Sequence, residues 1–333
     1  MNKVSINISD KLYKIRLDFV ASVRCCRYSQ LLIVLLISAL PVSPALLAAS
    51  QFSVTDNLPS SESITSLWKK KRANHYVPYT KKQIQLAESI FEQLLLNRLS
   101  EKTFSQLRSL KLSLTKVNDL LLVSETLPPY RGQGLYVIRV KAEGDILLQA
   151  PHSFHDLKTG NIAIKMMRDN PIRALAMNTV SRKYLTSTGE KYNADMAHLP
   201  ESLFMAFSRA FTRVHSNGKI VQLHGFNAEK RAQIFDEDNV KTNRLQMILS
   251  NGTRAVDQQL IQQKSCIDQT LSIQSHLYPL DINELGGTTN TIGRAVRQLG
   301  FSGFEHIEIS LPVRKKLNHS KKMRRGLFEC VSQ

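Results

Sequence analysis

From residue 80 the apolar positions fall at helical spacing: Ile84, Ala87, Ile90, Phe91, Leu94 and Leu95. The pattern predicts a helix over about 80–98, with Thr80 as its N-cap. A second helical stretch is expected over about 101–122, ending before Pro128 and Pro129. After Pro129 the texture changes. Short apolar runs at 135–140, 146–149, 174–177, 220–223, 245–249, 272–277 and 306–309 read as strands. Helical patterns at about 160–169, 200–213, 254–265 and 290–299 fall between them. Strands alternating with helices imply an α/β domain over 131–333, a mixed and largely buried sheet with flanking helices.

The stretch 50–130 reads as a linker followed by a helical N-terminal region, the linker becoming ordered near Trp68. Residues 1–49 have the order of a signal segment: Lys11, Lys14, Arg16, Arg24 and Arg27, then an uncharged apolar run over 31–40, then Pro41, Pro44 and small residues around Ala48. Export to the periplasm or the medium is therefore expected, with an uncleaved membrane anchor as the alternative. Beyond that segment only Cys266 and Cys330 remain. Two cysteines are too few for a thiolate zinc site, and the sequence leaves open whether they pair.

Hydrophobic residues make up 42% of the chain, enough for a real core. The formal net charge of +18 favours anionic surroundings: an acidic substrate, an anionic envelope surface or nucleic acid. The basic residues are scattered and carry no nucleic-acid motif, which with export argues against the last. Lys and Arg cluster between 315 and 325, where a solvated terminal helix or strand flank is the expected reading. No lysine-bearing phosphate loop, dinucleotide fingerprint or Gly-x-Ser-x-Gly elbow is present.

The candidate chemistry sits at strand ends. ILLQA at 146–150 runs directly into PHSFHDLKTG, which places His152, His155 and Asp156 where open α/β sheets build their sites. KIVQLHGF at 219–226 delivers His224 at the end of another strand, with Gly225 allowing a turn. In GFEHIEISLPVRKKL, Ile307 and Ile309 face one way and His306, Glu308 and Ser310 the other. A glutamate on such a strand needs a cation, a hydrogen-bond network or solvent. Two imidazoles and one carboxylate leave a fourth position on a zinc ion open. Arg182 follows the strand ALAMN and is either a substrate-carboxylate clamp or a surface residue. Asp195 and His198 precede a helix, and either cap it or orient a ligand or contact substrate. ELGGTTN at 284–290 reads as a turn and N-cap or as an anion-binding helix start.

The run APHSFHDLKTGNIAI resembles the metal-binding strand-loop-helix of zinc hydrolases related to N-formylglutamate amidohydrolases and phage polyglutamate hydrolases, whose broader relatives are the zinc carboxypeptidases. HIEISLPVR resembles their closing strand. The resemblance covers about 134–318 and implies a phosphorylase/hydrolase-like fold. It also implies His152, Asp156 and His224 as ligands to Zn2+ or another divalent ion, Glu308 as general base and Arg314 as a substrate-binding residue. The carboxypeptidase spacing of histidine and acid falls on His155, the alternative ligand. The function implied is a zinc-dependent amidohydrolase acting on a small acidic amide, a peptide or a cell-wall-derived substrate. The alternative is an envelope-associated binding protein on the same scaffold without turnover.

Overall fold

The computed structural model describes residues 53–55, 61–185, 189, 191–228 and 245–333. The expected signal segment lies outside these residues. Among the described residues no helix is long and apolar enough to cross a membrane. From Gln51 onward the chain forms one unit built on a ten-stranded mixed sheet.

Among the described residues the strands are β1 (Ser53–Thr55), β2 (Leu112–Val117), β3 (Leu120–Glu125), β4 (Leu135–Arg139), β5 (Ile146–Ala150), β6 (Ala174–Met177), β7 (Lys183–Leu185), β8 (Lys191–Asn193), β9 (Lys219–Phe226), β10 (Met247–Ser250), β11 (Ser275–Leu277) and β12 (Phe304–Ser310). The sheet order is β1-β2-β3-β4-β6-β5-β9-β12-β10-β11, and β7 and β8 pair separately. Its centre, β6-β5-β9-β12, is parallel, flanked by antiparallel β4 and β10. The carboxyl ends of β5, β9 and β12 therefore emerge side by side.

Helices cover both faces. On one face lie α2 (Lys81–Leu95) and α5 (Leu203–Val214), whose Phe91 and Phe207 rings meet each other and Tyr136 of β4 with centroids 4.8–5.1 Å apart. Each such aromatic pair adds about 0.5–1.5 kcal/mol beyond its buried area. On the other face pack α1 (Ser61–Lys70), α4 (Thr159–Asp169), α6 (Gln258–Leu271), α8 (Leu311–His319) and α9 (Lys321–Val331). α3 (Glu101–Ser109) lies against β2, and α7 (Thr291–Gln298) against α5 and β12. Thr80 caps α2 as expected, in a reciprocal capping box with Gln83.

Two expectations for the first third are corrected. The helix expected to reach 122 ends at Ser109, and 112–125 forms the β2–β3 hairpin. Leu112 and Leu114 alternate with polar residues, and Asn118 takes a left-handed φ of 53° at the turn. Asn-Asp turn chemistry and period-two alternation outweigh the helical spacing here. The stretch expected as a linker holds α1, whose Trp68 is buried. Its indole Nε1 donates to the Asn178 carbonyl at 2.7 Å, and its ring stacks on Phe154 with centroids 5.2 Å apart.

The basic tail forms α8 and α9 with Arg314 and Arg324 buried, while Lys315, Lys316, Lys321, Lys322 and Arg325 are exposed. Cys266 of α6 and Cys330 of α9 form a disulfide, with Cα atoms 5.6 Å apart, which resolves the pairing left open by the sequence.

Candidate metal centre

The sheet changes character along one face. On the side covered by α2 and α5, β5 runs from Leu147 to Gln149 and β9 from Ile220 through Gln222 to His224. β12 runs there from Phe304 through His306 to Glu308. The register sets Gln149 beside Gln222, Gln222 beside His306, and His224 beside Glu308. The opposite face stays apolar, with Leu148, Val221, Leu223, Ile307 and Ile309. Period-two alternation thus builds a polar floor under the strand ends without breaking the core behind it.

His152 and Asp156 stand above that floor on the turn after β5. The Asp156 amide donates to the His152 carbonyl at 2.8 Å, a single helical turn that sets the two side chains on one face. Three donor atoms converge there. His152 Nδ1 and His224 Nδ1 are 3.2 Å apart, and Asp156 Oδ2 lies 3.5 Å from the first and 3.7 Å from the second. Donors about 2.0–2.1 Å from a tetrahedral zinc ion stand roughly 3.3–3.4 Å from one another, so the spacing matches that ion.

The outer nitrogens of both rings are taken. His152 Nε2 meets Asp195 Oδ1 at 2.6 Å, and His224 Nε2 meets Gln222 Oε1 at 3.1 Å. With Nε2 engaged on the outer side, each ring turns its Nδ1 inward, the arrangement that orients ligating histidines. Two inward lone pairs at this distance repel unless a proton or a cation lies between them. Burial alone would lower the His152 pKa, but hydrogen bonds with Asp156 and Asp195 outweigh it and push it up to about 9. Burial, with His306 and His152 nearby, holds His224 well below the ordinary histidine range. The Asp195 carboxyl would be raised by burial, yet its bond to His152 holds it below its ordinary value.

A looser group is formed by His224, His306 and Glu308. The His306 ring stacks on His224 with centroids 4.2 Å apart, and its Nε2 is 3.9 Å from Glu308 Oε1. That separation is too wide for two donors on one zinc ion by the same measure. Burial pushes the His306 pKa down to about 3, so the ring is neutral. His306 was placed on the Glu308 face by strand alternation, yet nothing in its spacing marked it as a wall of the site. Gly287, at φ 62°, packs so tightly on that ring that a Cβ there would fall 2.7 Å from it.

A cavity of about 710 Å³ opens over these groups, and Arg182, His198 and Arg254 line it beside the converging cluster. Arg182 Nε is 3.6 Å from Asp195 Oδ2, and the Arg254 guanidinium lies 5.8 Å from the Tyr278 ring centre. His198 is half-buried, and its amide donates to the Asp195 carbonyl. The next helix, α5, is capped by Ser202, which leaves Asp195 free to hold His152. The loop 284–290 ends in Asn290, the N-cap of α7.

Two sequence candidates lie elsewhere. His155 points outward to Ser181 Oγ at 3.2 Å and is not part of the converging trio. Arg314 is buried, and its guanidinium donates to the carbonyls of Ile309 at 3.0 Å, Leu157 at 2.7 Å and Phe226 at 3.2 Å. It clamps the ends of β12, the β5 turn and β9, and lines a second cavity together with Asp156 and Arg182. Gly225, expected to turn the chain, lies within β9 and makes room for that clamp: a Cβ would fall 2.5 Å from Arg314 Cζ.

No family model and no characterised protein sequence matches this chain. Its fold is similar in part to several solved structures. The N-formylglutamate amidohydrolase of Ralstonia eutropha JMP134 is 8% identical, with a TM-score of 0.38 over 60% of this chain and 97% of that one. A candidate metallopeptidase of Shewanella denitrificans OS217 is 10% identical, with a TM-score of 0.34 over 74% and 92%. An aspartoacylase family protein of Mesorhizobium loti MAFF303099 is 14% identical, with a TM-score of 0.36 over 63% and 65%.

Proposed function

We propose that the protein is a metal-dependent hydrolase that cleaves an amide bond in a small carboxylate-bearing substrate, an acidic amide, peptide or cell-wall fragment. The observation that carries this is the convergence of His152 Nδ1, Asp156 Oδ2 and His224 Nδ1 within 3.2–3.7 Å, one strand from Glu308, beneath an open cavity. A two-histidine, one-carboxylate set is that of catalytic zinc sites, with a position left for water or substrate. When bound, zinc supplies a Lewis acid and makes water acidic enough to ionise near neutral pH.

The protein's own groups then have defined tasks. Asp195 and Gln222 hold the two ligating rings. Glu308, on the strand beside His224, takes the proton of the attacking water and returns it to the leaving amine. Arg182 and Arg254 give the cavity a cationic rim suited to a substrate carboxylate. His198 lines the same wall. The N-terminal segment supports a site of action beyond the cytoplasmic membrane, where acidic envelope material is met.

Elemental analysis of the purified protein tests the reading. About one zinc per chain is expected. It should be lost in His224→Ala and kept in Glu308→Gln, with amide hydrolysis by Glu308→Gln reduced by about 10²–10⁴-fold. Wild-type protein that takes up no stoichiometric metal when zinc is supplied would refute it.

A further inference from the structure

Asn290, at the start of α7, touches neither His152 nor Asp156, and its side-chain amide can point in only one sense. Its Oδ1 accepts the Gly293 amide at 3.1 Å as the helix cap, which leaves Nδ2 to donate to Gln222 Oε1 at 2.7 Å. A second chain of hydrogen bonds reaches the same oxygen's side chain from α5. Ser208 Oγ gives its proton to the Phe204 carbonyl at 2.8 Å, so it must accept from Gln149 Nε2, also at 2.8 Å. Gln149 Oε1 then faces Gln222 Nε2 at 2.7 Å. Ser208, Gln149, Gln222 and Asn290 are all buried, so water cannot substitute for a wrong pairing.

Both chains impose the same orientation on the Gln222 amide. Turning it over would set Nε2 against the Asn290 donor and Oε1 against the Gln149 acceptor. With Oε1 fixed, the only neutral form of His224 that satisfies the 3.1 Å contact carries its proton on Nε2 and a bare lone pair on Nδ1. We propose that Gln222 and Asn290 are positioning residues that lock His224 in the Nε2–H tautomer before any ion arrives, so that helix α7 and strand β9 together preset a ligand atom. The consequence for ion binding rests on the metal centre proposed above; the tautomer does not.

Two-bond proton–nitrogen correlation spectra of metal-free, ¹⁵N-histidine-labelled full-length protein read the tautomer directly, with His224 assigned by its loss in His224→Gln. The wild type should show a protonated Nε2 and an unprotonated Nδ1. Asn290→Asp combined with Ser208→Ala keeps an N-cap acceptor, faces Gln222 Oε1 with an oxygen and releases Gln149 to turn with it, so the Gln222 amide turns and the Nδ1–H form should appear. Zinc affinity by chelator competition should then fall by about 10–100-fold. Gln222→Glu still offers an oxygen to both donors and should keep the Nε2–H form. A wild-type Nδ1–H signal, or an Asn290→Asp/Ser208→Ala spectrum and zinc affinity unchanged from wild type, would overturn the proposal. The expected tautomers in protein that binds no zinc would sustain it and sink the metal centre instead.

Discussion

His152 and Asp156 are joined by one turn of helix, the Asp156 amide donating to the His152 carbonyl, so their side chains close on the same point while His155 between them faces outward. Here it is the residue four positions on, and not the one three positions on, that closes on the same point as His152.

Substitutions at these two neighbours should therefore separate cleanly. Asp156→Ala removes a converging oxygen and should reduce zinc affinity by about three orders of magnitude or abolish it, since a three-donor set falls to two. His155→Ala should leave metal content within error of wild type. Equilibrium competition with a chromophoric chelator measures both. Metal lost in His155→Ala and retained in Asp156→Ala would overturn the assignment.

Arg314 joins the ends of the three segments that carry His152, His224 and Glu308, and Gly225 exists in the space it needs. Gly225→Ala should force the guanidinium away, with a cost of about 1–3 kcal/mol in unfolding free energy. Urea denaturation of the metal-free protein checks this. The same variant should bind zinc more weakly, because three strand ends lose their common tie.

Asp169 offers a pH-dependent test away from the site. Arg324 Nε and Nη2 lie 2.8 and 2.6 Å from its Oδ2, and Arg168 Nη2 lies 2.6 Å from its Oδ1. Burial would raise the carboxyl, but the hydrogen bonds to Arg324 and Arg168 hold it below its ordinary value. A carboxyl depressed on folding stabilises fully above its unfolded value of about 3.9 and loses that contribution as pH falls through the folded value. The melting-temperature gap between wild type and Asp169→Asn should therefore be constant near neutral pH and close below about pH 4. A gap that widens on acidification would contradict this.

The central sheet and its strand-end histidines were legible because alternation writes them plainly: Ile220, Gln222 and His224 share one face, and Val221 and Leu223 the other. The β2–β3 hairpin was not, since its leucines also fit a helical period and only the Asn118–Asp119 turn tells against it. Asp195 was legible as a residue that could orient a ligand, but not His152 as that ligand, because 43 positions separate them. The clamp made by Arg314 was equally out of sight: its position after the closing strand is plain in the sequence, but its three carbonyl partners come from segments far apart in the chain.

The docking of Trp68 carries a consequence for how the centre is supported. Its indole holds the Asn178 carbonyl and stacks on Phe154, while Asn178 Oδ1 accepts the Ser153 amide, so the wedge reaches the residues directly after His152. The groups proposed to do chemistry lie between 152 and 308, but the brace for their first turn is made more than eighty positions earlier. Chemistry and scaffolding are thus written in different stretches of the chain. A fragment starting at 131 would contain every proposed ligand and the proposed base, and would still lack what keeps the first ligand in place.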